Sequence, residues 1–310
     1  MLVLTNILQT TIIYSTPLIL AALGGLFSER SGVVNIALEG LMTIGSFFAV
    51  LTTLYFGSPW LGLILAMVAG GLFAILHAFF TVTLKADQVV TGVALNFLAL
   101  GFSLYLTKLL FAGAGQTPVV KTKLETLKLP FLSKIPLLGE TLFNTLPTTY
   151  LAFLLVFLSY IFLYKTKFGL RLRAVGESPH AAETSGISVY KMRYFAVIVS
   201  GLFAGLGGAS LSIAIGSEFN QNTVAGQGFI ALAALIFGKW KPFGVFFAAI
   251  FFGFAVALSI IGQLMNFTKV LPSEVINMFP YFLTILALAG FVGKVEPPNA
   301  IGKTYEKGQF

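Results

Sequence analysis

The chain has 310 residues, of which 57% are hydrophobic and only 10% charged, with a formal net charge of +8. A soluble domain averages about 25% charged residues, so this composition excludes a water-facing globule and requires hydrocarbon as the main solvent. Cysteine is absent, which excludes disulfides and thiolate metal sites. The 32 Phe and 32 Gly suit lipid contact and close approach of helix backbones.

A spanning helix needs roughly 20 mostly apolar residues. In chain order the candidates are 6–27, 33–55, 60–84, 89–112, 148–164, 194–216, 243–262 and 275–293. The N-terminal stretch lacks a basic flank and a small-residue cleavage site, so it is expected to remain as a first helix rather than a removed signal peptide. A shorter apolar piece, 226–238, is too brief to cross alone and is expected as half of a broken helix buried among the others. The expected fold is all-α, a polytopic transmembrane helical bundle with broken helices. It forms one membrane domain over 1–310 with eight full crossings.

The basic residues orient it. Segment 165–193 holds Lys165, Lys167, Arg171, Arg173, Lys191 and Arg193, which places it on the cytoplasmic side by the positive-inside rule. Stepping outward from that anchor, with the short 226–238 piece counted as a crossing, puts Arg30, Lys85, Lys239, Lys241 and the tail residues Lys294, Lys303 and Lys307 on the same side, with the N-terminus outside and the C-terminus cytoplasmic. Lys121, Lys123, Lys128 and Lys134 then fall outside, in the extracytoplasmic loop 113–147, against the rule. That loop has room for a hairpin or a surface helix. The net charge is thus a matter of topology, and no nucleic-acid partner is expected.

No catalytic centre is visible. His77 and His180 are the only histidines and Asp87 the only aspartate, so a His/carboxylate metal cluster cannot be assembled. Paired acidic residues are missing from the spans, against a proton relay. No Gly-rich phosphate loop ending in Lys-Ser/Thr occurs, so any ATP-driven activity would need a separate ATPase. No cofactor is expected in this chain.

Two places carry information. Ser178-Pro179-His180-Ala181-Ala182-Glu183-Thr184-Ser185-Gly186 has the pattern of a short capped helix. Ser178 is an N-cap, Pro179 sits at the first helical position, and Gly186 can take the left-handed conformation that ends a helix. Ala181 and Ala182 give it a low-relief surface suited to a docking partner; an ordinary amphipathic linker is the competing reading. The second place is an internal echo: Asn35-Ile-Ala-Leu-Glu39-Gly40 and Gly226-Gln227-Gly228 each punctuate a hydrophobic run. Interrupted segments at corresponding places in two halves point to a transport pathway.

These stretches carry a resemblance. Gly169-Leu-Arg-Leu-Arg-Ala-Val-Gly-Glu-Ser-Pro-His-Ala-Ala-Glu-Thr-Ser-Gly-Ile-Ser-Val189 resembles the coupling loop of the ribose/branched-chain amino-acid class of ABC importer permeases. Glu29-Arg-Ser-Gly-Val-Val-Asn-Ile-Ala-Leu-Glu-Gly-Leu-Met-Thr-Ile-Gly45 is similar to the same class, in wording most like the smaller permease of nucleoside importers. The resemblance implies a non-catalytic permease that works with a second, non-identical permease. It also implies a cytoplasmic ATPase that binds ATP and Mg, and an extracytoplasmic substrate-binding lipoprotein. It implies that Glu177, Ser178, Pro179, His180, Ala181, Ala182, Glu183 and Gly186 couple to the ATPase. A simple sugar such as a pentose is the alternative cargo, and a secondary carrier the alternative machine.

Polar residues in or near the spans are candidates for the pathway: Asn35, Glu39, Asn96, Glu218, Asn220 and Gln227. Asn35 and Glu39 fit equally a polar knot holding broken helices together. Asn96 must either hydrogen-bond another helix or line water, and the cluster from Glu218 to Gln227 is expected at the outer mouth. Trp60 and Trp240 are expected to anchor at the membrane interfaces.

Overall fold

The computed structural model describes residues 2–128, 138–264 and 296–308, together with Val275, Met278 and Phe282. Among the described residues seven helical segments are long and apolar enough to cross a membrane. The first four crossings are α1 (Leu2–Arg30), α2 (Leu38–Phe56), α3 (Pro59–Ala78, extended by a π-helical turn Phe79–Thr83) and α4 (Gln88–Leu110). A short α5 (Leu138–Leu142) precedes the crossing α6 (Pro147–Lys165), which leads into α7 (Lys167–Glu177) and α8 (Pro179–Thr184). The remaining elements are α9 (Val189–Ala209, extended by a π turn Ser210–Ile215), the short α10 (Gln227–Phe237) and α11 (Pro242–Leu264). The chain is an all-α, multi-pass membrane bundle. The eighth expected span, 275–293, lies outside the described residues.

Small residues set the packing. α9 runs through the middle against α1, α2 and α3. Its Gly201 and Gly205 lie against Gly70 of α3, Gly205 also faces Gly45 of α2, and Gly208 sits on the Met42 carbonyl. A methyl group at Gly208 would approach Met42 C at 2.7 Å, well inside van der Waals contact. Between helices, where lipid offers no hydrophobic drive to associate, such close backbone contact supplies the attraction. Many of the described Phe side chains are exposed on the outside of the bundle, among them Phe79, Phe97, Phe157 and Phe247. α4 shows Phe97, Leu98, Tyr105 and Leu109 outward, and α3 and α4 border an apolar groove of about 470 Å³ lined by Leu65, Leu72, Phe73 and Phe102.

Two departures from the expected elements have clear causes. The second crossing begins at Leu38, not near 33, because Ser31 to Ala37 is non-helical, turning at Gly32 with φ +91°. The segment after α6 is not only a short capped helix: α7 comes first, amphipathic, with its start capped by Thr166 Oγ1 accepting from Gly169 N (3.0 Å). The 113–147 loop, expected to have room for a hairpin or a surface helix, holds a two-residue antiparallel strand pair, Leu127–Lys128 against Asn144–Thr145, and the helix α5 in the sequence between those strands.

All four arginines gather at one end of the bundle. Arg30 Nε donates to Trp240 O (2.8 Å) and its Nη2 to Tyr164 Oη (3.2 Å). Arg173 stacks 4.7 Å over the Tyr164 ring, and Arg193 Nη1 donates to Lys303 O (3.1 Å). Arg171 lies exposed on α7. At the opposite end, segment 116–120 pairs with the loop 216–226.

Candidate functional site

Residues Ser31–Ala37 leave the arginine end and re-enter the bundle without forming a helix. Backbone groups inside a membrane protein must find partners within the protein, and this segment finds them on polar side chains of three neighbouring helices. Val34 N donates to Gln88 Oε1 (2.7 Å), and His77 Nε2 donates to Val34 O (3.0 Å). Asn96 Nδ2 donates to Ile36 O (3.0 Å), while its Oδ1 accepts from Gly40 N (2.7 Å). Asn35 Nδ2 donates to Ser200 Oγ (2.8 Å), and its Oδ1 accepts from Ala37 N (3.1 Å). Asn96 lies about 12 Å further along α4 than Gln88 at 1.5 Å per residue. The re-entrant strand therefore climbs that far into the bundle before α2 begins.

A second break meets it there. Residues 216–226 fold in from the opposite end, and α10 starts after Gly226, whose φ is +85°. Glu39 Oε1 accepts from Gly226 N (2.6 Å) and Oε2 from Gly228 N (2.7 Å). One carboxylate thereby satisfies two of the donors that every helix start leaves unpaired, and its charge suits the positive end of the helix dipole. Gly228 is required at this spot: a Cβ would stand 2.5 Å from Glu39 Cα. The two segments of the internal echo are thus in direct contact, each opening a helix at the junction.

The far end of α10 is locked in turn. Its 11 residues span about 16 Å, roughly half of a ~30 Å hydrocarbon core. It ends in a left-handed turn at Lys239 and Trp240, where Trp240 Nε1 donates to Glu29 Oε2 (2.6 Å). Trp240 is 5% exposed, which corrects its expected role as an interfacial anchor; its indole N–H is committed to a buried carboxylate. Trp60, 55% exposed, does face outward.

At the arginine end, α8 begins with Ser178 Oγ accepting from Ala181 N (3.4 Å) and Pro179 in its first turn. It stops at Gly186, with φ +79°. Pro179 and Ala182 face inward; Ala182 packs on Val175, Val189 and Tyr305. Glu177, Ser178, Ala181 and Gly186 are exposed, and His180 and Glu183 lie between these faces. A groove of about 280 Å³ runs along the end of the helix, lined by Glu183, Gly186, Tyr190 and Tyr305.

The candidate residues therefore separate into three places. Asn35, Glu39, Asn96 and Gln227 gather at the junction of the two breaks, with Gln227 on the first turn of α10 rather than at an outer mouth. Glu218 and Asn220 stay at the opposite end, where the loop pairs with 116–120: Thr117 N donates to Phe219 O (2.9 Å) and Val120 N to Ser217 O (2.8 Å). The residues 177–186 form the exposed helix. Sequence reasoning missed Gln88, Glu29 and Arg193 as structural partners, and weighed His77 only as a metal ligand. Polar side chains flanking a predicted span were the available signal for Glu29 and Gln88.

The sequence model described as the branched-chain amino acid transport system / permease component matches residues 7–288. The guanosine ABC transporter permease protein NupQ of Bacillus subtilis is 52% identical to this chain, covering 99% of it and 98% of NupQ. The nucleoside ABC transporter permease protein NupC of Lactococcus lactis is 43% identical over 98% of the chain and 97% of NupC. A second Bacillus subtilis protein, the guanosine ABC transporter permease protein NupP, is 27% identical over 96% of the chain and 84% of NupP. No solved structure matches the chain.

Proposed function

The chain belongs to the branched-chain amino acid transport system permease family, and from that premise we propose that it is one transmembrane subunit of an ATP-driven nucleoside importer in a bacterial plasma membrane. The observation that carries the machine is the capped helix α8, held by its buried face and presenting a low-relief outer face at the arginine end. The observation that carries the cargo is the 52% identity with a guanosine permease over nearly the whole chain.

In this reading the arginine end is cytoplasmic and the N-terminus lies outside. A cytoplasmic ATPase, which binds ATP and Mg and performs the hydrolysis, receives α8. The chain itself is non-catalytic. Its second permease is a different polypeptide, as the two guanosine permeases of one bacterium differ from each other. A substrate-binding lipoprotein docks at the opposite end, where Glu218, Asn220, Gln221 and Asn222 offer polar contacts. The junction of the two breaks borders the pathway, because helices that start within the bundle can be tilted or withdrawn without unfolding a full crossing. Only ligands that favour one state over another can drive such a shift; ATP at one end and loaded lipoprotein at the other would each supply that difference.

Affinity purification from the native membrane tests the assembly. Recovery of an ATPase with a second, non-identical permease supports the reading, whereas recovery of this chain alone in good yield favours a secondary carrier. Uptake of labelled guanosine by the reconstituted complex, in competition with other nucleosides and with a pentose, then tests the cargo. Competition by the pentose but not by nucleosides would assign a sugar instead.

A further inference from the structure

Residues 296–308 return to the arginine end and have no regular helix or strand. They are nevertheless laid against four separate elements. Asn299 Nδ2 donates to Glu177 Oε2 (3.1 Å), and Ala300 N donates to Gly176 O (2.9 Å), at the joint between α7 and α8. Gly302 N donates to Gly32 O (3.1 Å), at the turn where the chain re-enters the bundle. Lys303 O accepts from Arg193 of α9, and Glu306 pairs with Lys85 between α3 and α4 (2.7 Å). The Tyr305 ring lies 5.5 Å from the rings of both His180 on α8 and Tyr190 on α9.

Two features set this segment apart from a trailing end. Ordering an irregular segment costs roughly 1–2 kcal/mol per residue in backbone entropy, so contacts outside the segment must hold it. Ala300 and Tyr305 are 3% and 4% exposed, amid the polar Asn299, Lys303 and Glu306. The second feature is the Gly32 turn. Its carbonyl holds the strap, and a Cβ there would press at 3.1 Å on both Ala300 O and Arg193 Nη2. Arg193 is 1% exposed, and its Nη2 and Nε have no partner among the described residues. The turn, the strap and α9 thus close on one another without room for a side chain.

We propose that Asn299–Glu306 is a positioning strap that ties the docking helix α8 to the re-entrant turn at Gly32, so that displacement of one is carried to the other. Tyr305 is the positioning residue at the α8 end, and the Gly32–Gly302 hydrogen bond is the attachment at the other. The proposal rests on the importer reading, in which α8 receives motion from an ATPase.

The test uses the full complex in liposomes and measures nucleoside imported per ATP hydrolysed. Tyr305→Ala removes both ring contacts and should lower that ratio several-fold, with the ATPase still bound and hydrolysing. Tyr305→Phe keeps the rings and should restore it. A wild-type ratio in Tyr305→Ala, or loss of the ATPase from that complex, overturns the strap. A second arm uses the absence of native cysteine: Lys85→Cys with Glu306→Cys, joined by a reducible thiol cross-linker, pins the strap. Import should stop on cross-linking and return on reduction; undiminished import at full cross-linking overturns the proposal. A wild-type complex that lacks an ATPase would instead sink the importer reading, a distinct result.

Discussion

Replacing Glu39 removes the clasp between the two helix breaks. Its carboxylate accepts from Gly226 N at 2.6 Å and Gly228 N at 2.7 Å. Hydrogen bonds to a charged group contribute ~1.5–3 kcal/mol each, and a negative charge at a helix start adds ~0.3–1 kcal/mol. Glu39→Gln keeps one acceptor oxygen but turns the other atom into an N–H donor facing a backbone N–H. That loses one bond and leaves a donor unsatisfied. Because Glu39 is half-buried, water relieves part of the penalty, and a loss of about 2 kcal/mol is expected. Glu39→Ala removes both acceptors and should lose about 4 kcal/mol. Thermal unfolding of the detergent-purified chain should rank wild type above Glu39→Gln and Glu39→Ala last, with nucleoside uptake by the complex falling in the same order. If both variants melt with the wild type, Glu39 does not hold α10 and the account of the junction fails.

Asn96→Leu is expected to destabilise by about 2–4 kcal/mol, since it strips partners from Ile36 O and Gly40 N; unchanged melting would show that neither group depends on it. Gly208→Leu should prevent assembly of the bundle, because a side chain there drives into the Met42 backbone; well-folded protein by size-exclusion chromatography would contradict the close approach of α2 and α9. Exchanging 178–186 for a flexible linker should leave membrane insertion and the bundle intact while abolishing uptake. Normal uptake would remove the docking claim. Trp240→Phe leaves the buried Glu29 without its indole donor and should lower stability by ~1–3 kcal/mol, measured by the same melts.

The spans were legible because hydropathy over about 20 residues is a local property and lipid imposes it on every crossing. α8 was legible for a similar reason: Ser178, Pro179 and Gly186 act on their own neighbours, so cap, first turn and stop are written in one short stretch. α7 was missed because its alternation of Gly, Leu and Arg is short and its stability comes from packing on α6, where Gly169 lies against the Leu163 backbone. The polarity of Asn35, Glu39 and Asn96 was visible, but their partners were not. Glu39 meets residues 187 and 189 positions away in the chain, and Trp240 meets Glu29 across 211. No local pattern encodes such pairings, which arise only when two breaks arrive at the same depth.

Composition and local chemistry therefore decided the solvent, the number and order of most crossings, and where an exposed helix would start and stop. Tertiary structure decided that the buried polar residues serve the backbone of a re-entrant segment, that one carboxylate begins a distant helix, and that residues 299–306 lie against α8 and the turn at Gly32. The division follows from range: burial in lipid and helix capping act within a few turns of one helix, whereas satisfying a broken backbone inside a membrane requires donors and acceptors from wherever the fold brings them.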